Sequence, residues 1–205
     1  YSATITKTET ETETETETET ATATETETAT ATATETQTSV TVEPPASEPL
    51  RFVVLGDAGE GNAAQFAVAD RVGEVCAAQG PCEFALYLGD NFYNDGVSSV
   101  DDEQFQTKFE LPYANLDFPF YVVLGNHDYG EVPVSTDKVQ HELDYHHISD
   151  KWHLPASYYS VRHGNIEFFA LDTNHFMTGS LMPSVNPSDQ EQWFSEAVSA
   201  SDATW

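Results

Sequence analysis

Three short, mostly apolar runs set the pattern of the chain. Leu50-Arg51-Phe52-Val53-Val54-Leu55, Phe84-Ala85-Leu86-Tyr87-Leu88 and Phe120-Tyr121-Val122-Val123-Leu124 each read as a strand buried on both faces of a sheet. Each runs straight into glycine and then Asp or Asn. Between the first two, the apolar period changes to that of a helix, from about Asn62 to Ala78, with Val68, Val72, Val75 and Cys76 on one face. Gly80-Pro81 ends it. A polar segment around Asp102 to Phe109 also has helical character, and a loop-and-helix region follows from Asp137 to Asp150. Next come two alternating stretches, Tyr158 to Val161 and Ile166 to Leu171, with Gly164-Asn165 in the turn of the hairpin. A last helix is predicted to start near Ser188, with Glu191 completing a capping box and Trp193, Phe194, Ala197 and Val198 forming its buried stripe.

The spacing of the strand ends fixes their arrangement. Asp57 and Asp90 are 33 positions apart, and Asp90 and Asn126 are 36 apart. A strand–helix–strand crossover needs about 30 residues or more and returns the next strand parallel to the first. All three strands therefore end at one edge of an α/β sheet, which is where such sheets hold ligands. Three polar loops converge there: Gly56-Asp57-Ala58-Gly59, Gly89-Asp90-Asn91-Phe92-Tyr93 and Gly125-Asn126-His127-Asp128.

Residues 1–49 follow a different pattern. Thr occupies every even position from Thr4 to Thr38, and the odd positions are mostly Glu or Ala. Alternating β-branched residues suggest a strand, but neither face is apolar and Glu on one face repels Glu. The expectation is a disordered, extended linker over 1–49, followed by one folded unit over 50–205. Thr density with Pro44, Pro45 and Pro49 fits an O-glycosylated stalk or an unmodified spacer.

Of the net charge of −28, the first 49 residues carry −10 and the rest −18. Such a surface repels nucleic acid and anionic membranes, so no nucleic-acid partner is expected and small substrates are favoured over anionic polymers. No apolar run approaches the ~20 residues of a transmembrane helix. Cys76 and Cys82 match no zinc spacing; they are read as a disulfide joining a helix end to the next strand, or as two buried thiols. The acidic, Thr-rich tail favours a secreted or cell-envelope, oxidising setting. The chain has no Met at position 1 and shows no signal peptide, which reads as processing or a cut at that end.

The rim offers oxygen donors. Carboxylate and amide oxygens suit hard cations. One bridging Asp can hold two metals ~3.5–4 Å apart, the separation of two-metal phosphoryl chemistry. His127 stands ready as a proton donor or phosphate clamp. Asp128 and Asp172 read as supporting or structural carboxylates. His141, His146, His147, His153 and His163 are expected in exposed positions, whereas His175 follows a strand end and could approach the rim.

The three loop motifs resemble those of the calcineurin-like metallophosphoesterases, and Tyr93, three residues after Asp90, is similar to the purple acid phosphatases. Asn91-Phe92-Tyr93 with Gly96-Val97, then Phe105-Gln106-Thr107-Lys108-Phe109-Glu110, Lys151-Trp152 and Leu171-Asp172-Thr173, resemble the small, tartrate-resistant type. The resemblance covers Leu50 to Trp205. It implies a two-sheet β-sandwich flanked by helices and a dinuclear centre that hydrolyses small phosphate monoesters. Asp57 and Tyr93 would bind Fe(III), Asp90 would bridge, Asn126 would bind Fe(II), Zn(II) or Mn(II), and His127 would assist the leaving group.

The sequence departs from the family in lacking the Gly-His-His-Pro and Gly-His-x-His motifs that supply three further histidines. The implied sandwich is therefore incomplete at its C-terminus, with an exposed sheet edge and inner face, and the chain alone is expected to be weakly active or inactive beside an active parent. Two other readings stand beside this one. One is a phosphodiesterase of the same superfamily; the other is a stalked extracellular binding protein with a degenerate metal site. Oligomeric state, natural substrate and the second metal are not readable from these residues.

Overall fold

The computed structural model describes residues 39–42, 49–130, 135–178 and 186–205. They form two sheets. The larger is fully parallel in the order β2 (Phe52–Leu55), β3 (Phe84–Leu88), β4 (Phe120–Val123), β5 (Trp152–His153). The smaller places β1 (Ser39–Val42) parallel to β6 (Tyr159–His163), which pairs antiparallel with β7 (Ile166–Ala170). The hairpin turn is Gly164-Asn165, with Gly164 in the left-handed region (φ 60°) that glycine adopts without a Cβ penalty.

The crossover helix α1 (Ala63–Gln79) begins where its sequence supplies a cap. Asn62 Oδ1 accepts from the backbone of Ala64 and Gln65 at 3.0 and 3.1 Å, and the helix ends at Gly80. A disulfide joins Cys76, near the end of α1, to Cys82, just before β3. The second crossover contains α2 (Glu103–Phe105), capped by Asp102, and a π-helical turn over Gln106–Glu110. A third helix, α3 (Thr136–Tyr145), lies between β4 and β5. A short α4 (Asn174–Thr178) follows β7, and α5 (Pro187–Ala200) closes the described chain.

Alternation along β2, β3 and β4 gives the larger sheet two different faces. One carries Ala85, Tyr87, Phe120 and Val122 into an aromatic core with Phe109, Tyr113 and Trp152. The other turns Phe52, Phe84 and Tyr121 toward the smaller sheet, where Phe84 stacks on His163 at 4.2 Å and meets Phe168 edge to face at 5.5 Å. That second face is only partly covered: Phe52, Val54 and Leu88 are 38%, 53% and 50% exposed. β2 is an edge strand among the described residues, and an apolar groove lined by Leu50, Phe52, Val68, Val72, Val75 and Cys82 runs beside it. Val68 and Val75, expected on the buried face of α1, line this groove and are exposed.

Four sequence expectations need correction. Ser39–Val42, read as linker, is a strand; residues 1–38 and 43–48, the rest of that linker and its Thr-rich stalk, lie outside the described residues. The cap of the last helix is Asn186, whose Oδ1 accepts from Ser188 N at 3.2 Å, with Pro187 in the first turn, where its fixed φ suits a helix start. Phe194 and Val198 of its expected stripe are exposed, and the buried residue is Gln190, which clamps the Asp172 backbone through bonds of 2.8 and 3.0 Å. His163, expected outside, is 3% exposed in the inter-sheet core, where burial lowers its pKa and keeps the ring neutral.

Candidate metal centre

The parallel register of β2, β3 and β4 puts their C-terminal loops side by side. Asp57 and Asp90 both adopt left-handed backbone conformations (φ 55° and 53°), uncommon for residues other than glycine and a form of strain that collects at functional sites. The loops are knitted by backbone bonds: Asp57 N donates to Gly89 O at 3.2 Å, Gly59 N to Asp90 O at 3.2 Å, and Tyr93 N to Gly59 O at 2.9 Å. Glycine makes this closeness possible. A Cβ at Gly125 would lie 2.1 Å from Asp90 N, and one at Gly59 would lie 2.2 Å from Asn91 O.

The consequence is convergence. The Tyr93 hydroxyl sits between two carboxylates, 2.9 Å from Asp57 Oδ1 and 2.7 Å from Asp90 Oδ2. Asp90 Oδ1 accepts from His127 N at 3.1 Å, which ties the third loop to the second. The His127 ring lies 4.5 Å from the Tyr93 ring, and its Nδ1 is 2.6 Å from Asn94 O. A carbonyl only accepts, so Nδ1 carries the proton and Nε2 is the free site. Asn126 is exposed at the same edge, with no hydrogen bond from its side chain to the other three among the described residues. The Tyr93 pKa is pushed far up, by desolvation and by both carboxylates that its hydroxyl bonds.

Asp57, Asp90 and Tyr93 together offer a cation three oxygens, now held by one phenolic proton between two carboxylates. That donor set fits a hard metal. It is also sparse: among the described residues, no three of His, Cys, Asp and Glu gather to hold an ion. His175 reaches none of the four residues. It is 5% exposed, with Nε2 at 3.2 Å from Asp172 Oδ2 and 3.3 Å from the Tyr129 hydroxyl.

Behind the rim lies a polar network that joins Asp128 and Asn91 of the loop motifs to Glu142, a residue with no part in the motif reading. Asp128, fully buried, accepts from the backbone N–H groups of Asn91, Phe92 and Gly125 at 2.8, 3.1 and 2.7 Å. Asn91 Nδ2 reaches Val123 O and Asp128 Oδ2, each at 3.0 Å, and Glu142 Oε2 of α3 at 3.2 Å. Lys108 Nζ donates to the Tyr93 carbonyl and, at 2.7 Å, to Gln104 Oε1. Glu142 did leave a signal in the sequence, since it falls at helical spacing between Val139 and Tyr145, both buried.

Burial raises the Asp128 carboxyl to about 7 despite its backbone donors. It raises Glu142 well above the carboxylate range, with the neighbouring Asp128 charge adding to the effect. Asp128 has three N–H donors and is the better anion, so the proton belongs on Glu142. The native state therefore holds a proton that the unfolded chain gives up. This contribution is complete below the ordinary carboxylate pKa and is lost as pH rises through the raised one. Glu142→Gln removes that dependence. In thermal melts the variant is expected to match the wild type near pH 4 and to melt increasingly above it from pH 5 to 8.

A domain in which parallel strands deliver Asp, Asp-x-x-Tyr and Asn-His to one edge has the architecture of a metallophosphoesterase. Residues 50–205 match the family described as calcineurin-like phosphoesterase, and the chain belongs to that family. It is 36% identical over 126 residues to tartrate-resistant acid phosphatase type 5 of Oryctolagus cuniculus, covering 57% of this chain and 37% of that protein. It is also 36% identical over 132 residues to purple acid phosphatase 7 of Arabidopsis thaliana, covering 62% and 38%. The human tartrate-resistant enzyme type 5 is 32% identical over 143 residues, covering 62% and 42%. The chain thus spans about two fifths of the curated relatives it matches. Among solved structures, GAP50, described as the anchor in the inner membrane complex of Plasmodium, superposes with a TM-score of 0.54 at 22% identity over 72% of this chain and 48% of that one, a likeness of fold. No helix among the described residues is long and apolar enough to cross a membrane.

Proposed function

We propose that this chain supplies the first half of a dinuclear metal centre for the hydrolysis of small phosphate monoesters. The observation that carries the reading is the Tyr93 hydroxyl held between the Asp57 and Asp90 carboxylates. Asp57 and Tyr93 would hold a ferric ion, Asp90 would bridge, and Asn126 would bind a divalent iron, zinc or manganese. Bound metals would supply Lewis-acid activation of the phosphate ester and of the attacking water. The chain's own residues prepare that chemistry. The three interlocked loops fix the donor oxygens before any ligand arrives. Asn94 O holds the His127 tautomer, so that Nε2, when protonated, can pass its proton to the leaving oxygen. The phosphatase relatives and the acidic surface support a small phosphorylated substrate, and the Cys76–Cys82 disulfide supports an oxidising, secreted or extracellular setting.

Four protein ligands are few for two metals, so metal binding with weak or absent turnover is the expected behaviour of this chain alone. The sparse donor set also favours a second reading, a metal-binding domain without hydrolytic activity. Titration with Fe(III) tests the first step. A tyrosinate–iron charge-transfer band in the visible is expected in the wild type and absent in Tyr93→Phe. A band that survives Tyr93→Phe removes Tyr93 from the ligand set. Release of phosphate from an aryl phosphate by the iron-loaded chain, lost in His127→Ala, separates the hydrolase from the binding domain.

A further inference from the structure

We infer that Glu142, on α3, is a positioning residue that holds two of the metal-bearing loops in register through Asn91 and Asp128. This rests on reading Asp90 and Asn126 as ligands. Glu142 is fully buried, although a Glu on a helix is ordinarily exposed. Its Oε2 accepts from Asn91 Nδ2 at 3.2 Å, and its carboxyl group adjoins that of Asp128. Asn91 is the chain neighbour of Asp90, and its amide also bonds Val123 O of β4. Asp128 closes the link: one carboxylate accepts from Asn91 N and Phe92 N in the β3 loop and from Gly125 N in the β4 loop. The Asp90 and Asn126 loops therefore share one buried knot, to which Glu142 brings a helix.

The orphan atoms show what Glu142 does there. Glu142 Oε1 has no hydrogen-bond partner in this pocket. Two ionised carboxyl groups side by side and away from water would repel. A proton on the unpartnered Oε1 removes that repulsion and lets Glu142 donate to the adjoining Asp128, which goes on accepting from the three backbone N–H groups. Trp152 Nε1 donates to the Glu142 carbonyl at 3.0 Å, which anchors this turn of α3 to the aromatic core. The residue acts as a donor on a rigid helix, so an amide can replace it and an apolar side chain cannot.

Hydrogen exchange of the metal-free full chain, read by NMR, tests this without relying on the metal. In Glu142→Leu the amides of Asn91, Phe92 and Gly125 should lose protection about tenfold or more relative to Val161 in β6, while Glu142→Gln keeps them within about twofold. If the Leu variant does not fold, Glu142→Asp, whose carboxyl falls one carbon short, should show the same local loss. A parallel titration with Mn(II) or Fe(III) should show affinity about 10-fold to 100-fold weaker for the Leu or Asp variant, and near wild type for Gln. Uniform loss of protection across the chain overturns the inference, because it makes Glu142 a residue of general stability. Unchanged protection in the Leu and Asp variants overturns it too, as does a Gln variant that behaves like Leu. A wild type that binds neither metal sinks the reading of the centre, and the exchange data then decide the role of Glu142 by themselves.

Discussion

Asp90→Ala is expected to abolish metal binding altogether, at both positions of the proposed centre. Asp90 is the hub of the rim. Its Oδ2 takes the Tyr93 hydroxyl at 2.7 Å and its Oδ1 takes His127 N at 3.1 Å, so one side chain joins the second loop to the third. Losing it removes a charge, a bridge and an orienting contact together. Changes that disturb only the groups supporting a ligand weaken metal binding about 10-fold to 100-fold, and loss of the shared ligand itself should exceed that. Ala also fits poorly at φ 53°, a conformation that Asn tolerates. Asp90→Asn therefore isolates the charge. Isothermal titration should find almost as large a loss for Asn as for Ala, with the Asn variant melting close to the wild type. A fall in affinity below tenfold for both would show that Asp90 does not bridge.

The second large effect concerns the platform beneath the rim. Trp152 is fully buried, and the rings of Phe109, Phe92, Phe105, Tyr145 and Tyr87 surround it at 4.8, 5.7, 5.9, 6.2 and 6.3 Å. Trp152→Ala leaves a cavity in this cluster and should cost about 3–5 kcal/mol, the usual range for a buried Trp. That corresponds to a fall of roughly 10 °C in the melting midpoint for a chain of this size, measurable by circular dichroism. The damage should reach the site as well. Phe92 packs directly on the indole, and Glu142 O loses its N–H donor. Weaker metal binding should therefore accompany the lower midpoint, and Trp152→Phe should recover part of both.

Much of the rim was legible because glycine, strand and spacing point the same way. An apolar run ending in Gly-Asp forces a turn at a strand end, and a crossover of helical length makes the next strand parallel. Asp57, Asp90, Tyr93 and His127 could be placed on one edge from those rules alone. The supporting network was less legible because its partners are far apart in the chain. Glu142 meets Asn91 only after α3 has docked, and its one local trace is a carboxylate on an apolar stripe. Ser39–Val42 failed for a related reason. Val40 and Val42 do alternate with Ser39 and Thr41, but four residues at the end of a long Thr-rich repeat make no strand by themselves, and the strand state depends on Ser160–His163 as a pairing partner. His163 and Phe194 were misplaced in opposite directions, since a polar ring can stack on Phe84 while a helix can leave part of its apolar stripe outside. Sequence periodicity shows which residues share a face, and only the packed structure shows whether that face is covered.

The most direct measurement is anomalous diffraction at the iron edge from crystals of this chain soaked with Fe(III). A strong anomalous peak is expected within bonding distance of Asp57 Oδ1, Asp90 Oδ2 and the Tyr93 hydroxyl oxygen, lost in crystals of Asp90→Ala. Iron found only elsewhere on the acidic surface, with the three oxygens still joined through the phenolic proton, would contradict it.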